Sequence, residues 1–429
     1  MLVRRVDVQK QAPAAVVGRI DSQGRQIVAY GESGRDSKRP LDGDSVFEIA
    51  SLTKVLTALV LSDMVARKEV ALIDPVTQHL PERVLNPDVR AISLVDLATH
   101  TSGFPLRMPG VDASETRYPY DAVGRKEFYA ALATFKSTNP SGSKYEYSNY
   151  GYAVLGEALA HRADMSFERL LETRVLSPLG MEDTRWKLTD SMRARAVTGH
   201  DVAHAPVEIS GAGMFAGAGG VYSTVNDMLD FIEVASGRRD SPLSSAARAL
   251  LDTARPSDYP HAIQALGWRV TNLAGHRIVW SNGAGQGFRT FMGFSPKNGV
   301  GVVAFANASS DVGVDDIGQH LIDERFPVNL QGPDDHKEIT LAPAVLDRYV
   351  GKYRFADQSI VTIVRDGSIL VGHWPRGDPS PLFAEAESRF FMRDVDAQIT
   401  FSGHGRGNAK ARSLTLHQNN RESSATRIE

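Results

Sequence analysis

The stretch from Leu52 to Ala66 constrains this chain more than any other. Val55, Leu56, Leu59, Val60, Leu61, Met64 and Val65 are spread round every face of it, and only Lys54, Ser62, Asp63, Thr53 and Thr57 interrupt. A helix with that distribution has no face for water, so it is expected to be buried on most of its surface. Ser51 stands immediately before it. On a helix, Ser51 and Lys54 share one face within contact distance. A lysine at that position meets the positive end of the helix macrodipole, and burial disfavours its charged form. Both effects lower its pKa, so a neutral Lys54 can take the proton from Ser51 and make it a nucleophile. Alone, Ser-x-x-Lys has an ordinary structural explanation, since serine caps helices and lysine is common on them. A catalytic reading needs partners elsewhere in the chain.

With 429 residues, the chain is too long for one ordinary core and suits two or three. Apolar content of 42% and charged content of 23% place it among globular proteins. A net charge of −3 without a basic block argues against nucleic acid or an anionic membrane as the main partner. The absence of cysteine excludes disulfides, thiolate metal sites and cysteine nucleophiles. His200 and His204 sit in a loop-like setting beside Pro206 and are read as surface histidines, not as metal ligands. No metal and no cofactor is expected. The N-terminus lacks the apolar region of a secretory signal and no stretch reaches transmembrane length, so the protein is cytoplasmic or has had an exporting segment removed. The expected partner is a small-molecule or peptide substrate, with the oligomeric state open.

Ala14–Ile20 and Arg25–Tyr30 form a hairpin pattern around Asp21–Gly24. From about 75 to 262 helices and loops dominate. Phe104–Gly124, with Met108, Tyr118 and Tyr120, has little periodicity and suits a loop over a pocket. Gly211–Gly220 is dense in glycine. No strand precedes it, so a backbone passing close to something explains it better than a dinucleotide loop. Leu266–Thr271, Arg277–Ser281, Thr290–Phe294 and Gly301–Ala306 read as an antiparallel meander, followed by a helix marked by Val314, Ile317 and Leu321. The fold class is therefore α/β: one antiparallel sheet assembled from both ends of residues 1–327, flanked by helices, with a helical subdomain inserted at about 75–262. Residues 328–341 read as a linker. Residues 342–429 carry short alternating segments (351–355, 359–364, 368–372, 389–393, 398–401, 413–417) with the spacing of a small antiparallel barrel.

Three sites share this framework: Ser51 with Lys54, Tyr147-Ser148-Asn149 on a turn leading into a helix, and Trp280–Phe288 at a strand end and turn. Taken singly, Tyr147 is a packed aromatic, Asn149 a cap and Ser281–Gly287 a hairpin. In this order and spacing, they resemble the serine β-lactamase and penicillin-binding protein family. Within it the likeness is to class C β-lactamases, D-Ala-D-Ala carboxypeptidases, D-aminopeptidases and family VIII carboxylesterases. Thr99–Gly103, Pro178–Met181 and Gly219–Thr224 with Asp227 also match, so the resemblance covers about residues 12–325. Residues 342–429 resemble the lipocalin-like domain that some members carry.

The resemblance implies a serine hydrolase working through an acyl-enzyme on amide or ester bonds. Ser51 would be acylated, Lys54 and Tyr147 would share the proton transfers with either as the base, and Asn149 would bond Lys54 or the substrate amide. Backbone N–H groups of Ser51 and Ala284 would form the oxyanion hole, with Ser281, Asn282 and Gly283 lining the substrate site. The family's third motif opens with lysine or histidine, where this chain has Ser281. A serine brings no charge to a substrate carboxylate, and Arg289 on the next strand is the candidate replacement. Three substrate readings follow: a β-lactamase or D-Ala-D-Ala carboxypeptidase/D-aminopeptidase, a short-chain carboxylesterase favoured by the uncharged Ser281, and a penicillin-binding protein of slow turnover.

Overall fold

The computed structural model describes all residues except 35–38, 82–83, 85, 111–119, 121–122, 138, 209–210, 260, 274, 311–312, 329–335, 375–378, 393–396, 404–408 and 419–420. Tyr118 therefore lies outside the described residues. Residues 104–110, the start of the expected pocket loop, run without helix or strand.

An eight-stranded antiparallel sheet runs in the order Gly24–Gly31, Ala14–Asp21, Gly301–Ala306, Phe288–Phe294, His276–Gly285, Arg269–Leu273, Ala262–Gln264 and Arg255–Pro256. The N-terminal hairpin is joined to the C-terminal meander through Ala14–Asp21, whose Val16 faces Phe305 and whose Arg19 faces Val302. Gly301–Ala306 is buried along its whole length. Its odd residues Val303 and Phe305 pack with the helix Val225–Ala235, and its even residues Val302 and Ala304 with the helix Asp315–Ile322. Covered faces on both sides explain a continuous apolar run where a solvent-facing strand would alternate. The sheet begins earlier than the boundary at 262 assigned from sequence: Arg255–Pro256 and Ala262–Gln264 already pair as strands. Both are too short to show alternation.

The Ser51 segment opens with a 3-10 turn, Ala50–Leu52, and continues as the helix Thr53–Ala66. Twelve of its fourteen residues are buried, so it is a core element and not an amphipathic surface helix. Its polar residues survive burial because each finds a partner. Thr57 Oγ1 donates to Gly217 O at 2.8 Å, Ser62 Oγ donates to Ala246 O at 2.8 Å, and Asp63 accepts from Arg67 and Arg174. The glycine-dense segment lies directly against the next helix, Asn149–Ala163. A Cβ on Gly217 would stand 2.6 Å from Tyr152 O and 3.0 Å from Gly156 Cα. His200 corrects the sequence reading: it is buried on a short strand, its Nδ1 3.1 Å from Asn307 O, while His204 occupies a left-handed turn position.

Residues 351–427 form a closed antiparallel barrel of eight strands in consecutive order. Two of them, Ser380–Ala386 and Arg421–Arg427, were not expected. The first carries Pro381 and is buried at five successive residues, and the second is polar except for Ala425, so neither alternates visibly. The barrel has its own core, in which Tyr349, Tyr353, Phe390 and Phe401 pack together. No helix among the described residues is long and apolar enough to cross a membrane.

Candidate active site

Ser51 leaves the strand Phe47–Glu48 through Ala50, which holds φ at +49°. From there the two polar groups of the helix start converge. Lys54 Nζ lies 2.9 Å from Ser51 Oγ and donates to Ala218 O at 2.7 Å. The Tyr147 hydroxyl approaches from the turn before the Asn149 helix, 2.8 Å from Ser51 Oγ. Ser148 caps that helix by accepting from the Gly151 N–H, which fixes the turn carrying Tyr147. Hydroxyl, amine and phenol thus meet from segments 96 residues apart in sequence.

The environment draws the proton affinities of the two proton carriers toward each other. Burial lowers the pKa of Lys54, with the Arg269 charge acting in the same direction against Tyr147 and Glu48. Burial opposes ionisation of Tyr147, yet the Lys54 charge, hydrogen bonding to Ser51 and the Arg269 charge bring its pKa below the usual phenol value. An amine and a phenol whose pKa values approach each other can pass a proton with little cost. His100 supports this arrangement. Its ring stacks on Tyr147 at 4.4 Å, its Nδ1 accepts the Ser148 N–H at 3.1 Å, and burial holds it well below the usual histidine pKa, so it is a neutral acceptor.

Ser51, Lys54, His100, Tyr147, Gln264, Gly267, Arg269, Ser281 and Asn282 line one open cleft of about 260 Å³. Of the residues singled out from sequence, Ser51, Lys54, Tyr147, Ser281 and Asn282 are brought together there. Gly283 and Ala284 lie beside the Ser51 turn on the strand His276–Gly285, which continues further than the turn expected at 282–285. A Cβ on Gly283 would come within 2.6 Å of Ile49 O, so glycine is what lets this strand close on the turn. Asn149 opens its helix with Oδ1 buried and unpartnered, and Lys54 takes Ala218 O in its place. Arg289 pairs in register with Ala284 but packs beside Gly313, outside the cleft lining.

Besides Lys54, the cleft is lined by Arg269, which no sequence motif marks. It is 9% exposed, its guanidinium lies 4.3 Å from the Tyr259 ring and 5.1 Å from the Trp280 ring, and its Nη1 donates to Asn282 Oδ1 at 2.8 Å. Asn282 in turn donates from Nδ2 to Asp315, which fixes its amide with the oxygen toward Arg269. No carboxylate forms an ion pair with Arg269 among the described residues. A buried guanidinium that faces a cleft without an ion-paired carboxylate has the chemistry to hold an anion.

Comparison with known proteins agrees with this architecture. A family model described as Beta-lactamase matches residues 2–324, and one described as a domain of unknown function (DUF3471) matches residues 335–427. The D-alanyl-D-alanine-carboxypeptidase/endopeptidase AmpH of Escherichia coli (strain K12) is 30% identical over 305 residues, covering 68% of this chain and 78% of that protein. A β-lactamase of Pseudomonas fluorescens is 27% identical over 316 residues, covering 66% of this chain and 85% of its own length. Among solved structures, a class C β-lactamase superposes with a TM-score of 0.65 at 20% identity, covering 72% of this chain and 89% of that one, a likeness of fold. The chain belongs to the β-lactamase family, and it is a serine hydrolase.

Proposed function

We propose that this enzyme hydrolyses amide bonds next to a carboxylate through an acyl-enzyme on Ser51, in the manner of a D-alanyl-D-alanine carboxypeptidase or a β-lactamase. The observation that carries the chemistry is the convergence of Lys54 Nζ and the Tyr147 hydroxyl on Ser51 Oγ, at 2.9 and 2.8 Å. Ser51 Oγ attacks the carbonyl carbon while its proton passes to the Lys54–Tyr147 pair. The oxyanion is held by the Ser51 and Ala284 N–H groups, a kind of contact worth about 10²–10³ in rate per donor. Collapse expels the amine, which takes a proton from Tyr147, and water then hydrolyses the ester by the reverse relay. Arg269 supports the carboxylate-bearing substrate by supplying the charge that Ser281 lacks, and the carboxypeptidase and β-lactamase relatives point the same way. An esterase reading is favoured only by Ser281. The test is kcat/KM for a D-alanyl-D-alanine peptide, nitrocefin and p-nitrophenyl butyrate, with Ser51→Ala as control. Ser51-dependent turnover of the peptide or nitrocefin is expected. Turnover of the ester alone would establish a carboxylesterase, and penicillin labelling without turnover a penicillin-binding protein.

The chain is read as two units, a hydrolase domain at 1–327 and a barrel domain at 342–429 joined through 328–341. The consecutive strand order of the barrel supports a lipocalin-like kinship. Its interior is filled by Tyr349, Tyr353, Phe390 and Phe401, which favours a packed appendage over a barrel that holds a ligand inside.

A further inference from the structure

Directly behind the Ser51 turn lies a buried carboxylate that the acyl-transfer scheme leaves unused. Glu48 is 5% exposed, on a two-residue strand paired with Tyr222–Ser223, and it forms no ion pair among the described residues. A buried carboxylate without a direct ion pair is unfavourable unless nearby donors satisfy it. Its Oε1 accepts two backbone N–H groups, from Ala50 at 2.9 Å and from Gly220 at 3.2 Å. Ala50, with φ at +49°, is in the left-handed region that a residue with a Cβ avoids. Gly220 ends the loop whose Ala218 carbonyl holds Lys54 Nζ. On the third side, a Cβ on Gly285 would stand 2.3 Å from Glu48 Oε2, so the strand carrying Ala284 closes onto the same carboxylate.

We infer that Glu48 is a positioning residue for acyl transfer: one oxygen locks both the left-handed turn that aims Ser51 and the loop that places Lys54. The inference rests on the acyl-enzyme reading. An apolar side chain of similar size would fill the volume but orphan both N–H groups. Ala50 would then relax toward right-handed geometry and carry Ser51 Oγ away from Lys54 and Tyr147 together. A displacement of about 1 Å in such a site costs on the order of 100-fold in rate.

The experiment uses the full chain and the three probes named above. Wild type and Ser51→Ala come first. Without Ser51-dependent turnover of any probe the acyl-enzyme reading fails, and the Glu48 inference with it. Given that turnover, Glu48→Leu is expected to lower kcat about 100-fold with KM within about threefold. Glu48→Gln keeps the acceptor oxygen and is expected to stay within about tenfold of wild type. Adding Ala50→Gly to Glu48→Leu is expected to restore part of kcat, because glycine takes the left-handed turn without strain. Should Glu48→Leu not fold, the comparison of Glu48→Gln with Glu48→Ala decides in the same way. The inference is overturned by an apolar variant within about threefold of wild type, by Glu48→Gln falling as far as the apolar variant, or by a loss explained by fewer active sites at unchanged turnover per site.

Discussion

At the scale of single residues, the assignment with the sharpest consequence is Arg269. Its guanidinium is buried between two rings, tied to Asn282, and without an ion-paired carboxylate among the described residues. A charged hydrogen bond to a substrate carboxylate contributes about 1.5–3 kcal/mol, or roughly 10–150-fold in kcat/KM. Arg269→Met is therefore expected to lower kcat/KM on the D-alanyl-D-alanine peptide or nitrocefin by about that factor. On p-nitrophenyl butyrate, which has no carboxylate, the change should stay within about threefold. Equal losses on charged and neutral substrates would reduce Arg269 to a packing residue. Sequence could nominate Ser51, Lys54 and Tyr147 because the residues around them have recognisable types at recognisable spacing. Arg269 had no such marker: an arginine on a strand looks the same whether it points to solvent or to a cleft. Arg289 is the candidate cation from the strand after Ser281, but its side chain packs by Gly313.

At the scale of elements, the site depends on a close crossing between the Asn149 helix and the Gly213–Ala218 segment. Gly156 and Gly217 meet backbone to backbone, and Gly217 and Ala218 carbonyls then accept from Thr57 and Lys54. Gly217→Val is expected to destabilise the fold by about 1–3 kcal/mol through overpacking and to lower kcat by moving Ala218 O off Lys54. Tm and kcat of the same variant check this, and an unchanged kcat would show that the loop does not set the lysine. The crossing was partly legible, since a run of glycines implies a close approach, but the partner helix was not. Long elements, such as the Ser51 helix and the strands through 306, are readable from the length of their apolar runs. Arg255–Pro256 and Ala262–Gln264 are too short to carry a period, and Ser380–Ala386 hides its period because both faces are buried.

At the scale of the whole molecule, several buried carboxylates act on stability through pH. Burial raises Glu48 to about 7, and Asp227 and Asp315 each to about 6. In the unfolded chain such groups release their protons near pH 4. Between about pH 4 and 7 the folded protein therefore holds protons that the unfolded chain has lost, and the contribution of these groups to stability declines as pH rises through that window. Asp227 lies away from the cleft, accepting from the Asp183 N–H and Thr184 Oγ1 on one oxygen. Asparagine keeps an acceptor there without the charge. Asp227→Asn is thus expected to match wild type or fall slightly below it at pH 4, where the wild-type carboxyl is already neutral. It should gain about 1–2 kcal/mol relative to wild type by pH 7, after allowance for partial exposure. Urea unfolding of both proteins at pH 4, 5.5 and 7 measures the difference directly. A gap that is constant across the three would mean that Asp227 does not change its proton affinity on folding, and a gap that narrows with rising pH would reverse the sign argued from its burial.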